Sequence, residues 1–303
     1  MIKSFDEILA AVKTNKTRRI AVAVAQDEPV LEAIRDAKIS GVADAVLVGD
    51  KSLIEDISKN IGLETKDIEI IHEPDNTKAS RMAVSLVSQK KADMVMKGLV
   101  DTATFLKAVL DKEIGLRTGK VLSNVAVFDI PALNRILILT DAGMNIAPDL
   151  MAKKQMIENA VYIAHKIGIE LPKVAAICAV ETVNLDMPAT IDAAILSKMN
   201  DRGQIKGCIV DGPLAVDNAI SEEAARHKGI HSPVAGHADI LMAPNIETGN
   251  AVYKTLNYTT DSKVGSLVAG AAAPIILTSR SDSPETKLNS IILASVAASA
   301  AIK

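Results

Sequence analysis

Short runs of apolar, β-branched residues recur along the whole 303-residue chain, and longer helical patterns separate most of them. "RIAVAVA" (19–25), "DAVLVGD" (44–50), "IEIIHE" (68–73) and "DMVMKG" (93–98) open the series. "NVAVFDI" (124–130), "RILILTDAG" (135–143), "KVAAICAVE" (173–181), "GCIVDGP" (207–213), "ADILMAP" (238–244) and "PIILTSR" (274–280) continue it. These runs are mostly continuous rather than alternating, as in strands covered by helices on both faces. Stretches between them, such as "DEPVLEAIRDAKISG" and "ASRMAVSLVSQKKA", carry the helical pattern. Strands alternating with helices in this way predict an α/β fold with mostly parallel sheets.

One place breaks the alternation. "NVAVFDIPALNRILILTD" joins two strands through a Pro/Asn turn with no helix between them, which predicts an antiparallel hairpin. Such a break is a natural domain junction, and the length suits two domains. The expected division is a first α/β domain at 1–122 plus 274–303 and a second at 123–273. The small-residue terminal helix "IILASVAASAAI" is expected to pack inside a domain.

Composition narrows the function. The formal charge of −3 gives no global attraction to nucleic acid, and the chain has no Trp, three Tyr and three Phe with which to stack bases. Cys178 and Cys208 each sit in an apolar run, as buried free thiols do, and the five histidines form no ligand pair. No metal site is therefore expected. "MIKSFDEILAAVK" reads as an amphipathic helix rather than a signal peptide, and "VGSLVAGAAAPIIL" is too short and broken to span a bilayer. A cytoplasmic location is the expectation.

Open parallel sheets bind ligands beyond the carboxyl ends of their strands. "MKGLVDTATFLKAVL" places Lys97 and Gly98 at a strand end, with Asp101, Thr102 or Thr104 able to cap the next helix. A capped βα loop with a solvated lysine explains the same residues. "EIGLRTGKVLSN" offers Arg117, a phosphate-binding guanidinium or a rim charge. "APNIETGNAVYKTL" carries Asn245, Thr248, Gly249 and Asn250, either ligand donors or a turn and helix cap. Asp141, Asp149, Asp211 and Asp217 fit turns and caps better than a Mg²⁺ site. There is no GxGxxG after the first strand and no GxxxxGK[ST] in the chain.

"LTSRSDSPETK" is richer. Ser283, Pro284 and Glu285 form a helix start. Thr278, Ser279 and Arg280 at the strand's last positions are not needed for that. An arginine among hydroxyls, facing a helix N-terminus, is suited to a phosphoryl group.

Taken together, "KGLVDTATFLKAVL", "TDAGMNIAPD", "DGPLAVDNAIS", "APNIETGNAVYK" and "TSRSDSPETKLNSI" resemble the phosphate acetyltransferase/butyryltransferase family, in the family's order and across nearly the whole chain. The "PNxxxGNxxYK" run is the most specific, and "TDAGMNIAPDLMAKKQMIENAV" with the short chain is more similar to the butyryl branch. The resemblance implies a two-domain fold like isocitrate and isopropylmalate dehydrogenases, with the site in an interdomain cleft. It implies reversible transfer of a short acyl group between CoA and phosphate, by direct attack in a ternary complex. CoA is then a substrate, no tightly bound cofactor is expected, and the protein is a homodimer or larger homo-oligomer.

The resemblance assigns Ser279 and Arg280 to the reaction centre. Where acetyl enzymes carry an aspartate seven residues later, this chain has Thr286, so the base role falls on Glu285 or Asp282. Arg117, Lys97, Thr102, Asn145, Asn245, Gly249, Asn250 and Thr278 are the expected CoA and phosphate contacts. The alternatives are an acetyltransferase, an enzyme drawing on acyl carrier protein, a metal-dependent decarboxylating dehydrogenase of similar fold, and a non-catalytic binding protein.

Overall fold

In a computed structural model, residues 2–14, 16–279 and 281–299 are described, and they form two compact units. The first comprises Phe5–Lys120 and the segment that begins at Val264; the second is chiefly Val121–Lys263.

The first unit opens with α1 (Phe5–Val12) and then alternates: β1 (Arg18–Ala23), α2 (Glu28–Ile39), β2 (Ala43–Gly49), α3 (Lys51–Ile61), β3 (Glu69–His72), α4 (Asn76–Ser88), β4 (Met94–Lys97) and α5 (Thr102–Val109). The helices start where the chain supplies caps. Asp50, Asp75 and Asp101 accept main-chain N–H groups of α3, α4 and α5. β1 pairs in parallel with β2 on one side and β4 on the other, and β2 pairs in parallel with β3. Ile20–Ala23 and Met94–Met96 are buried, which is why these strands read as unbroken apolar runs.

The second unit begins with the predicted hairpin, β5 (Ser123–Ile130) antiparallel to β6 (Arg135–Thr140). A 3₁₀ turn over Pro131–Leu133 and Asn134 at φ 50° make the connection. There follow α6 (Leu150–Lys166), β7 (Lys173–Ile177), α7 (Pro188–Asp201), β8 (Ile209–Leu214), α8 (Val216–Ile220), α9 (Glu222–His227), β9 (Ile240–Met242) and α10 (Ile246–Thr259). The strand order in this unit is β5-β6-β9-β7-β8, and every pairing after the hairpin is parallel.

The chain then returns to the first unit with β10 (Lys263–Ala269), β11 (Ile275–Ile276) and α11 (Pro284–Ala297). This return begins at Val264, not at the expected 274, because β10 pairs antiparallel with β11. β11 lies parallel beside β4, giving the order β3-β2-β1-β4-β11-β10. α11 packs on α2 and α1, with almost all of its residues buried. Among the described residues no helix is long and apolar enough to cross a membrane.

Candidate functional site

In the first unit the chain leaves β1 towards β2 on one side and later fills β4 on the other, so strand order reverses between β1 and β4. Beyond the carboxyl ends of such a pair an open sheet binds its ligand. The register Ile276↔Met96 brings the end of β11 beside the end of β4. Thr278 and Ser279 therefore emerge next to Lys97 and Gly98.

The main chain is crowded here. A Cβ on Gly98 would lie 2.3 Å from the carbonyl oxygen of Val24, so only glycine fits. Val24 itself takes φ 57°, a left-handed conformation that costs a β-branched residue roughly 1–3 kcal/mol. Its carbonyl accepts from Leu99 N at 2.8 Å. The buried Lys97 turns its Nζ onto the carbonyls of Gly98 (3.1 Å) and Val100 (3.0 Å), and so braces the loop. Asp101 caps α5 by accepting Thr104 N at 2.8 Å, which holds its carboxyl below the usual range. Thr102 is exposed on the first turn of α5.

The loop after β11 separates hydroxyls by role. Thr278 is buried, and Ser279 is exposed with its Oγ 3.0 Å from Ser281 Oγ. Ser283 caps α11, accepting Thr286 N at 3.1 Å, as expected. Arg280 lies outside the described residues. Glu285 is exposed on the first turn of α11. Asp282, by contrast, is buried, and its Oδ2 accepts Ser279 N at 2.7 Å.

Arg117 is exposed but does not join this group. Leu116 accepts Ala272 N at 2.9 Å, and the Thr118 hydroxyl donates to Gly270 O. Those partners precede β11 whereas Ser279 follows it, so Arg117 and Ser279 flank opposite ends of the strand.

Asn145, Asn245, Gly249 and Asn250 gather in the second unit, at the parallel strand ends of β6 and β9. Buried Asp141 takes the N–H groups of Gly143 (2.8 Å), Met144 (3.0 Å) and Asn145 (3.2 Å), and also the Asn145 amide. Asn145 Nδ2 donates in addition to Leu122 O at 2.8 Å. Asn245 caps α10 through Thr248 N at 3.0 Å, and Asn250 Nδ2 donates to Ala142 O at 3.2 Å. Gly249 is obligatory, since its Cβ would sit 2.0 Å from Asp141 O. The amides singled out in the sequence thus hold their own loops together.

Two features escaped the sequence: the left-handed Val24 and the buried Lys287 beneath Ser279. Nothing in the sequence marks Val24. For Lys287 the signal was its helix, apolar on nearly every face, in which a lysine has no solvated side to occupy. The cysteines lie elsewhere, in the second unit, and burial pushes both thiols up to about 11. They are poor nucleophiles at neutral pH. Among the described residues no three His, Cys, Asp or Glu side chains gather as a metal ion would require.

Comparison with known proteins bears on what such a strand end does. The family described as Phosphate acetyl/butaryl transferase matches residues 4–79 and 53–295. The phosphate butyryltransferase of Clostridium acetobutylicum is 61% identical over 298 residues, 98% of this chain and 99% of that one. The phosphate acetyltransferase of Thermotoga maritima is 48% identical over 292 residues, covering 96% and 99%. Among solved structures, a branched-chain phosphotransacylase from Enterococcus faecalis superposes with a TM-score of 0.81 at 31% identity, over 93% of this chain and 99% of the other.

Proposed function

The chain belongs to the phosphate acetyl/butyryltransferase family, and from that premise we propose that it transfers a butyryl or similar short-chain acyl group between CoA and inorganic phosphate, with Ser279 at the reaction centre. The observation that carries this assignment is the exposed Ser279, set at the carboxyl end of β11 beside β4 and just before the α11 N-terminus.

Acyl-CoA and phosphate are the substrates, and the products are acyl phosphate and CoA. In the reverse direction the CoA thiol attacks the acyl carbonyl and phosphate departs. A thiol of ordinary pKa near 8.5 needs a base to be mostly thiolate at neutral pH. Glu285 suits that task better than Asp282, because Asp282 is buried and commits an oxygen to Ser279 N–H. Negative charge grows on the carbonyl oxygen and on the leaving phosphate. Arg280 is assigned to the phosphate, Ser279 to a hydrogen bond with the thiol or carbonyl, and the N-terminal end of α11 adds a favourable field. Arg117 is assigned to a CoA phosphate. CoA is long, with its thiol and its phosphates at opposite ends, which suits an arginine at the far end of β11 from Ser279. Transfer is direct, within a ternary complex, since both cysteines hold their protons tightly. CoA enters and leaves as substrate with no tightly bound cofactor, in a cytoplasmic homodimer or larger homo-oligomer.

The test is phosphate-dependent release of CoA from acetyl-, propionyl-, butyryl- and isobutyryl-CoA, followed with a thiol reagent. The four-carbon substrates should give the highest kcat/KM. Each methylene is worth only about 1–3 kcal/mol, so the shorter chains should react more slowly rather than not at all. A maximum at acetyl-CoA would move the assignment to the acetyl branch, and no release from any of them would remove it.

A further inference from the structure

Lys287, the fourth residue of α11, is 2% exposed, and its Nζ donates to the carbonyls of Asp282 (2.6 Å) and Ser279 (3.1 Å). Asp282, 7% exposed, takes Ser279 N–H on Oδ2 at 2.7 Å, and its own N–H donates to Ser279 O at 3.2 Å. Both polar groups of the Ser279 main chain are therefore held, the N–H by Asp282 and the carbonyl by Lys287 and Asp282. With the backbone fixed on both sides, the remaining freedom of the Ser279 side chain is its rotamer.

Burying charged groups is expensive, and a buried charge pair replaced as a whole by apolar side chains commonly leaves a fold as stable or more so. Burial holds Lys287 below its ordinary pKa, against the pull of Asp282 and Asp27. Asp282 adds to the cost, because its Oδ1 is buried with no hydrogen-bond partner among the described residues. Stability alone gives little reason for a lysine here; control of the loop that carries Ser279 gives a direct one.

We propose that Lys287 is a positioning residue for acyl transfer, which with Asp282 clamps the Ser279 main chain so that the hydroxyl meets the reacting carbonyl or thiol. This rests on the assignment of Ser279 to the reaction centre. Lys287 touches the loop and not the substrate, so its loss should act through Ser279. A misplacement of about 1 Å can cost about 100-fold in rate.

Lys287→Met, Ser279→Ala and the double variant, assayed with butyryl-CoA and phosphate and melted in parallel, test it. Lys287→Met leaves buried Asp282 without its cation and two carbonyls without their lysine donor, so it should melt lower than the parent while staying folded at the assay temperature. Its kcat should fall at least about tenfold, with KM for butyryl-CoA within about threefold. In the Ser279→Ala background the same change should cost less than about threefold, because both act on one element. A smaller loss of kcat in Lys287→Met, or a loss that multiplies in full with that of Ser279→Ala, overturns the clamp. Near-parental kcat in Ser279→Ala alone removes the site assignment instead. Should Lys287→Met not fold, Asp282→Ala takes its place under the same criteria.

Discussion

Ser279 stands exposed at the carboxyl end of β11, whereas Asp141, at the corresponding end of β6, is buried and takes four N–H groups of its own loop. Both loops follow parallel strands, and both are rich in the small polar residues that suggest a ligand site. In the second unit those residues are spent on backbone. Asp141 organises 143–145, Asn245 caps α10 and Asn250 ties α10 to Ala142. In the first unit the backbone is held from beneath, by Lys97, Asp282 and Lys287, and a hydroxyl is left facing solvent. Polar residues at a strand end can thus build the end or use it.

Substitutions should separate these roles. Ser279→Ala should lower kcat by about 10²–10³-fold, the usual cost of one transition-state donor, with no change in melting temperature. Loss of stability without loss of turnover would collapse the contrast between the units. Next in size is the thiol chemistry of the second unit. With both cysteines raised from 9.0 to about 11, their native reaction with a thiol reagent at pH 8 should be about 100-fold slower than in urea. A rapid native reaction would put a usable nucleophile in the unit whose loop side chains serve its own backbone. The sign for stability follows from the same shift. The folded protein keeps thiol protons that the unfolded chain gives up, so this contribution is whole below pH 9.0 and is lost as pH rises towards 11.

Gly249→Ala should destabilise the second unit by about 1–3 kcal/mol in a denaturant titration, because its Cβ would meet main-chain and not side-chain atoms. Ser283→Ala should cost about 1 kcal/mol and leave kcat within twofold. That last variant sharpens the contrast most finely, since it separates two serines four residues apart, one capping a helix and the other carrying chemistry.

The strands were legible because burial on both faces demands continuous apolar runs, and the hairpin because a Pro/Asn turn replaces a helix. β10 was not. "KVGSLVA" is interrupted by Gly265 and Ser266, and it stands beside an apolar stretch without clear periodicity. That omission put the boundary at 274. The caps at Asp101, Asn245 and Ser283 are local chemistry and could be read directly. The sorting of Asn145, Asn245 and Asn250 into loop-building roles could not, because it depends on which carbonyls lie opposite across neighbouring strands. Asp282 and Glu285 looked interchangeable as carboxylates three residues apart; the turn before α11 buries one and the first turn of the helix exposes the other.

The late return of the chain to its first unit has a consequence for synthesis. β11 fills a position between β4 and β10, in the interior of that unit's sheet, and it is supplied only after the whole of the second unit. The second unit is continuous and can complete its own strands while translation proceeds. The first must wait on the ribosome with a gap in its sheet, and the Ser279 loop cannot form until that gap closes. The loop therefore forms only after the second unit has been synthesised, and chains truncated before Ile275 should lack transferase activity.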